Sequence, residues 1–365
     1  MAGESKSYAF QPDYAVIPGE TLAEVLEERG MSQANLARRA GLSSKHINQI
    51  IVGDASITSE TGLRLEKVLG IPARFWTSLE SNYREFVTRQ EEQTALEADV
   101  SWLSDIPVLE LVKRGFLTEK RPSVASLREV LKFYGVANKS AWNIVWATPT
   151  AYRKSRVHDV NPHALAAWLR IGEIESKEVE AEPFSRNGLR EMLPELRSLT
   201  LLSVSEWGPQ LIALCASVGV VVVFEPEIPG SRICGVARWI GSDRALIQMS
   251  LRHRWSDIFW FSFFHEVAHV LIHDRKRLTF VDGPPKGGDD DELELEANAF
   301  ASNLLIPDGY NGVLATLTTR KSIEAFAADI GVHKGIVVGR LQHDRIVLFS
   351  QFNDLRERYV FSKEA

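Results

Sequence analysis

His265, Glu266 and His269 sit in one apolar stretch at the spacing that metal-assisted hydrolysis requires. On a helix, residues four apart stand one turn above each other, so both imidazoles reach a single ion. Glu266 follows His265 directly, where its carboxylate acts as general base on a water at that ion; this is the logic of the H-E-x-x-H pattern. Ile258 to Phe264 and Val270 to Ile272 flank the set with aromatic and aliphatic side chains, so the helix is predicted to be buried. Buried imidazoles beside a buried carboxylate need partners for their polar atoms, and a zinc ion supplies them. The competing reading is a core helix whose histidines bond nearby backbone. His273 lies one turn beyond His269, about 12 Å along the axis from His265. That is too far to share the ion, so it reads as a packing residue or one that supports a ligand from behind.

A catalytic zinc takes three protein ligands and keeps one position for water, so a third ligand remains to be found. After a Pro/Gly loop at Asp282 to Gly288, a helix is predicted from Asp289 to Pro307, with aspartates at its N-terminus where the dipole favours them. Leu293, Ala297, Phe300 and Leu304 are predicted as its buried face. Glu294 and Glu296 flank that face on opposite sides and Glu292 lies farther round, so periodicity leaves the ligand open among them. Upstream, the β-branched run Gly219 to Phe224, then Ile233 to Ile240 and Ala245 to Met249 around the turn Gly241 to Asp243, predict a small, largely antiparallel sheet. The edge of such a sheet is a place to hold a substrate backbone as an added strand. His253, Arg254 and Tyr310 are candidates for stabilising an oxyanion.

At the other end of the chain the residues suit a different task. Ser32 is a good N-cap, Leu36, Ala37 and Ala40 form an inward face, and Gly41 marks a stop. Ser43 or Ser44 then caps a short helix carrying Ile47, Ile50 and Ile51. Helix, glycine turn, helix is the helix-turn-helix layout. From Arg29 to Gly53 there are Arg29, Arg38, Arg39 and Lys45 and no acidic residue, in a chain of net charge −6. Such a local basic stretch suits phosphates. The second helix of this motif enters the major groove by its N-terminal end. Ser44, Lys45, Asn48 and Gln49 are therefore expected at base edges, while Gln33 and Arg38 hold phosphates. A three-helix packing module without DNA is the competing reading.

The 365 residues predict two to three domains, and 45% hydrophobic with 25% charged residues are those of a soluble globular protein. A polar start without a signal region, and apolar runs too short to span a bilayer, predict a cytoplasmic protein with no membrane association. Cys215 and Cys234 then read as free thiols. His158 and His163 have no ligand-spaced partners and read as surface histidines. Near the C-terminus, Ala327, Gly331, Val337 and Leu341 repeat the four, six and four intervals of Ala37, Gly41, Ile47 and Ile51. A closing helical hairpin is favoured there over a second DNA-contacting element, with Arg345 to Phe352 as a terminal strand.

Two resemblances extend this reading. Residues 17 to 84, with Ile17-Pro-Gly-Glu-Thr-Leu, Met31-Ser-Gln-Ala-Asn-Leu-Ala and Gly70-Ile-Pro-Ala-Arg-Phe-Trp76, resemble the HigA-type antitoxins of the XRE helix-turn-helix family. That implies a homodimer on a two-fold operator in double-stranded DNA. Residues 200 to 310, with His265-Glu-Val-Ala-His269, Glu296-Ala-Asn-Ala-Phe-Ala and Leu304-Leu-Ile-Pro307, resemble the ImmA/IrrE zinc metallopeptidases. That resemblance implies Zn2+ held by His265, His269 and Glu296, Glu266 as the catalytic base, and a transcriptional repressor as protein substrate; a toxin or the chain itself are the other candidates, and the sequence does not choose among them. The expected fold class is mainly α with a small antiparallel β-sheet. Its parts are a flexible arm (1–16), a helix-turn-helix bundle (17–84), a helical linker region (85–200), a zincin-like peptidase domain (201–310) and a C-terminal hairpin and strand (311–365). The expected function is a DNA-binding regulator fused to a zinc endopeptidase. The alternative is a non-proteolytic antitoxin or autorepressor that uses the peptidase fold as a sensor or partner-binding scaffold.

Overall fold

Serine caps and a left-handed glycine build the N-terminal motif where the sequence predicts it. The computed structural model describes residues 16–147, 160–273 and 289–360; residues 1–15 of the expected arm, His158 and the loop at 282–288 lie outside them. Helix α1 spans Pro18–Glu28, α2 Gln33–Ala40, α3 Ser44–Ile51, α4 Ser59–Leu69 and α5 Ala73–Asp99. The Ser32 hydroxyl accepts from the Asn35 amide at 3.2 Å and that of Ser43 from the His46 amide at 3.1 Å, each satisfying an orphan donor of a helix start. Gly41 closes α2 at φ 65°, a conformation costly for residues with a Cβ. Leu22, Leu26, Leu36, Ala37, Ile47, Ile50, Leu65 and Trp76 form one core. At Gly19 a Cβ would stand 2.1 Å from the Ile50 carbonyl oxygen, so α1 lies directly on the end of α3 only because that residue has no side chain. Buried Glu80 accepts from the Ile57 amide at 3.0 Å and from Arg84 Nε at 2.7 Å, while Arg84 Nη2 donates to the Gly53 carbonyl at 3.2 Å. These bonds tie α5 to the chain leaving α3.

Met1–Val100 and Ser101–Ala365 are the two compact units. Residues 101–200, expected as a linker, belong to the second unit. It contains α6 (Val108–Lys113), α7 (Val124–Tyr134), α8 (Lys139–Trp142), α9 (Pro162–Glu175), α10 (Arg186–Ser198) and α11 (Val204–Ala216). There follow β1 (Val220–Phe224), β2 (Gly235–Ile240), β3 (Arg244–Met249), α12 (Ser256–Ile272), α13 (Asp289–Leu305), α14 (Asn311–Leu314), α15 (Arg320–Ile330) and α16 (Lys334–His343). The order in the sheet is β1-β3-β2, with β3 parallel to β1 (Val222↔Ile247) and antiparallel to β2 (Ala237↔Ile247). The sheet is thus mixed, not antiparallel as expected, because β3 inserts between the two strands that precede it.

Both faces of this sheet are covered, which explains why β1 is apolar throughout instead of alternating. Val220, Val222, Ala237, Trp239, Ala245 and Ile247 pack into the core that holds α12. On the other face, Gln248 Nε2 donates to the Trp168 carbonyl at 2.7 Å, and Arg238 donates to the carbonyl of Leu169. Helix α9 therefore closes the sheet from behind. His163, expected at the surface, is half-buried there, its ring stacked on Trp142 at 4.6 Å.

Arg197 on α10 joins the parts of this unit. Its guanidinium donates to the carbonyls of Leu304 (2.8 Å) and Leu305 (2.9 Å) at the end of α13, and of Ile330 (2.8 Å) and Gly331 (3.3 Å) at the end of α15. One fork of five donors satisfies the orphan acceptors of two helices. Arg197→Ala leaves these carbonyls without that donor and is expected to cost about 3 kcal/mol or more, at about 1–3 kcal/mol for each buried unsatisfied group. A thermal melt with no drop for this variant would show that water replaces the guanidinium.

The C-terminal repeat of the helix-turn-helix spacing is a core hairpin. Gly331 is left-handed at φ 67°, like Gly41, but Gly335, Ile336, Val337, Val338, Leu341 and Gln342 of α16 are all buried. A helix enclosed in this way has no free face for a groove. The expected strand at Arg345 to Phe352 is instead a series of turns with φ 59° at both end residues. The Phe349 and Gln351 carbonyls accept from Gln342 Nε2 (3.4 and 2.9 Å), so side-chain bonds take the place of a ladder. Arg356 then forms a bidentate pair with Asp257 (2.9 and 2.8 Å), which anchors the chain end to the first turn of α12.

Candidate metal centre and nucleic-acid interface

Helices α12 and α13 bring the chemistry together. Ala297 and Ala301 are fully buried and Leu305 nearly so; small side chains let the two helices approach closely. The buried stripe of α13 therefore runs through these residues and not through Leu293, Phe300 and Leu304, which are only half-buried. Glu294, four residues before Asn298 and seven before Ala301, lies on the side turned to α12. Its Oε2 is 3.2 Å from His265 Nε2 and its Oε1 is 3.4 Å from His269 Nε2, and the two imidazole Nε2 atoms are 3.0 Å apart.

Glu296, expected as third ligand, is outside this cluster. Two residues on a helix turn the side chain by about 200°, and its carboxylate faces His273 Nε2 at 3.4 Å. Among the described residues, His265, His269 and Glu294 are the group whose donor atoms could hold one ion.

The donor set fits zinc. His265 Nδ1 is 3.0 Å from Asn298 Oδ1, an acceptor, so the ring proton sits on Nδ1 and Nε2 keeps its lone pair. His269 Nδ1 is engaged by His273 Nδ1 at 2.8 Å, which leaves its Nε2 facing the same point. Tetrahedral zinc with bonds near 2.0–2.1 Å separates its ligand atoms by about 3.3 Å. The spacings of 3.0, 3.2 and 3.4 Å lie around that value.

The charges of these groups act strongly on one another. Burial pushes the Glu294 carboxyl up, but the hydrogen bonds and charges of His265 and His269 outweigh it and hold the group far below the usual carboxylate range. Burial pulls the His265 imidazole down, and the hydrogen bond to Glu294 with the charges of Glu266 and Glu294 raises it above its ordinary value. His273 is lowered, by burial first and by His269 second.

Glu266 is 4% exposed, and its Oε2 has no hydrogen-bond partner among the described residues. Space for it comes from Gly235 at the start of β2, where a Cβ would stand 3.1 Å from Glu266 Cγ and 2.8 Å from Met249 Sδ. Of the oxyanion candidates, Tyr310 packs edge-on to Phe326 at 5.4 Å. His253 and Arg254, both left-handed (φ 70° and 59°), lie ahead of α12, at the end away from His265 and His269.

In the first unit, Gln33, Arg38, Ser44, Lys45 and Asn48 are exposed and Gln49 is half-buried. All but Gln33 and Arg38 lie on α3, whose inward residues Ile47 and Ile50 leave its opposite face free. Arg64 Nη1 donates to the Gly41 carbonyl at 2.7 Å and the Ala40 carbonyl at 3.2 Å, bracing the turn that sets α3 against α2.

Residues 22–76 match the family described as helix-turn-helix, and residues 256–342 match the one described as IrrE N-terminal-like domain. The chain belongs to the XRE-type helix-turn-helix family and carries an IrrE-like domain. Over 81 residues, 22% of this chain and 75% of the relative, it is 33% identical to virulence-associated protein I of Dichelobacter nodosus. Two solved structures are also similar. One is an addiction module antidote protein of the HigA family from Coxiella burnetii, at 32% identity over 23% of this chain and 92% of that one, TM-score 0.22. The other is the Pseudomonas aeruginosa antitoxin HigA with the higBA promoter, at 29% identity over 24% and 95%, TM-score 0.22. The helix-turn-helix match contains all six expected DNA contacts, and the IrrE-like match contains the whole histidine, glutamate and asparagine cluster. No described helix is long and apolar enough to cross a membrane.

Proposed function

We propose that the chain is a DNA-binding regulator whose IrrE-like domain is a zinc-dependent endopeptidase. The observation that carries this reading is the convergence of His265 Nε2, His269 Nε2 and the Glu294 carboxylate on one point, with Glu266 on the same helix, its Oε2 without a hydrogen-bond partner among the described residues. His265, His269 and Glu294 would hold the ion. When bound, zinc supplies Lewis acidity, which makes a water nucleophilic near neutral pH and polarises a scissile carbonyl. Glu266 takes the proton of the attacking water and returns it to the leaving amine. Its burial between β2 and α12 keeps bulk water from competing for that carboxylate. The substrate is a protein: a repressor, a toxin or the chain itself.

The first test is metal analysis of the purified chain, followed by incubation with an unstructured peptide library read by mass spectrometry. About one zinc per chain and cleavage that stops with a chelator support the reading. Zinc-loaded chain that binds DNA yet leaves the library and itself intact would favour the scaffold role.

For the first unit the proposal is sequence-specific binding of duplex DNA as a homodimer, supported by the free face of α3 and the likeness to HigA-family proteins. Lys45→Ala or Gln49→Ala is expected to relax preference at single base pairs by about 1–3 kcal/mol. Arg38→Ala instead lowers the slope of log affinity against log salt by about 1, with preference unchanged. Selection from a random DNA pool, repeated for each variant, separates the two effects. A uniform loss across all sequences from Lys45→Ala would move that residue to the phosphates.

A further inference from the structure

We propose that His273 and Glu296 form a positioning pair that orients His269 as a zinc ligand, resting on the metallopeptidase reading above. Three groups lie in series behind the metal-facing nitrogen. His269 Nδ1 is 2.8 Å from His273 Nδ1, and His273 Nε2 is 3.4 Å from Glu296 Oε2.

Proton placement follows from this order. A ligand nitrogen is unprotonated, so with Nε2 on the ion His269 carries its proton on Nδ1. That proton is donated to His273 Nδ1, which must then be the acceptor and hold its own proton on Nε2. The His273 Nε2–H points toward the Glu296 carboxylate. At 3.4 Å the approach is longer than a formed hydrogen bond, and Nε2 has no other bond among the described residues although His273 is 3% exposed. A buried donor of this kind calls for an acceptor, and Glu296, its side chain 52% exposed, is free to close the gap.

Metal-bound histidines commonly donate their second nitrogen to a carboxylate or carbonyl, directly fixing ring orientation. Here a second imidazole stands between ring and carboxylate. The reason is geometric: His273 is one turn beyond His269 on α12, whereas Glu296 reaches in from α13. The arrangement also gives His265 and His269 different supports, Asn298 for the first and the His273–Glu296 pair for the second.

The test is zinc affinity by chelator competition on the full chain, with the visible spectrum of the cobalt-substituted protein as a second readout. His273→Leu and Glu296→Gln are each expected to bind one zinc per chain with affinity lowered about 10–100-fold, and to shift the cobalt bands. The double variant is expected to lose little more than His273→Leu alone, since both act through one ring. His273→Gln, which can accept from His269 and donate to Glu296, should recover part of the loss. Because Glu296 is at the surface, its variant reports even if His273→Leu fails to fold. Unchanged affinity and spectrum in Glu296→Gln and His273→Gln would overturn the pair while leaving the metallopeptidase reading intact. Loss of all zinc from Glu296→Gln would make Glu296 a ligand and overturn it too. A wild-type chain that takes up no zinc would overturn both readings together.

Discussion

Glu266→Gln is expected to lower the rate of peptide cleavage by about 10²–10⁴-fold, the usual contribution of a positioned general base. That corresponds to roughly 3–5 kcal/mol of activation free energy. The substitution preserves shape, and the carboxylate oxygen it replaces has no hydrogen-bond partner to lose among the described residues. Zinc content and melting temperature should therefore stay near the wild-type values, because His265, His269 and Glu294 are untouched. A variant that keeps its metal and melts normally but cleaves no longer separates a chemical role from a structural one. Undiminished cleavage would remove Glu266 from the reaction, and Gly235, whose missing side chain makes room for it, would need another explanation.

Glu294→Ala is expected to strip the site of metal. Structural zinc binding of about 10–16 kcal/mol, spread over four ligand positions, is roughly 3–4 kcal/mol for each, or more than a hundredfold in affinity. After gel filtration in metal-free buffer the variant should retain far less than one zinc per chain. Glu296→Ala, treated alike, should keep close to one. These two carboxylates are two residues apart on α13 and equal in chemistry, so the contrast depends only on which face of the helix meets α12. Retention by Glu294→Ala with loss from Glu296→Ala would mean that α13 turns by half a revolution when metal binds.

Much of this organisation is legible in the order of residues. The caps Ser32 and Ser43 and the stop at Gly41 are local signals, each read from residues within four positions of itself, and the helix-turn-helix forms where they lie. His265, Glu266 and His269 need only a helix to stand together, and the apolar run around them ensures a buried one. The strands at 220–224, 235–240 and 244–249 follow from β-branched runs and a tight turn. The mixed pairing does not, because inserting β3 between β1 and β2 is a choice among non-local partners that the run of valines leaves open.

The glutamate that joins the two histidines shows the same division within a single helix. By itself the sequence determined that α13 would carry glutamates past the histidines. It also determined that two imidazoles and a base would share one face or neighbouring faces of α12. Which glutamate arrives was decided by tertiary structure. Ala297 and Ala301 pack α13 tightly onto α12, and that contact turns Glu294 inward and leaves Glu296 beside His273. Residues 101–200 teach the lesson on a larger scale. Their helices look like a linker because nothing in their own periodicity names a partner. Gln248 bonding into α9 and Arg197 capping α13 and α15 make them part of the unit that carries the IrrE-like domain. Helix periodicity says that a face must be buried; only the assembled neighbours, many residues away in the chain, say against what.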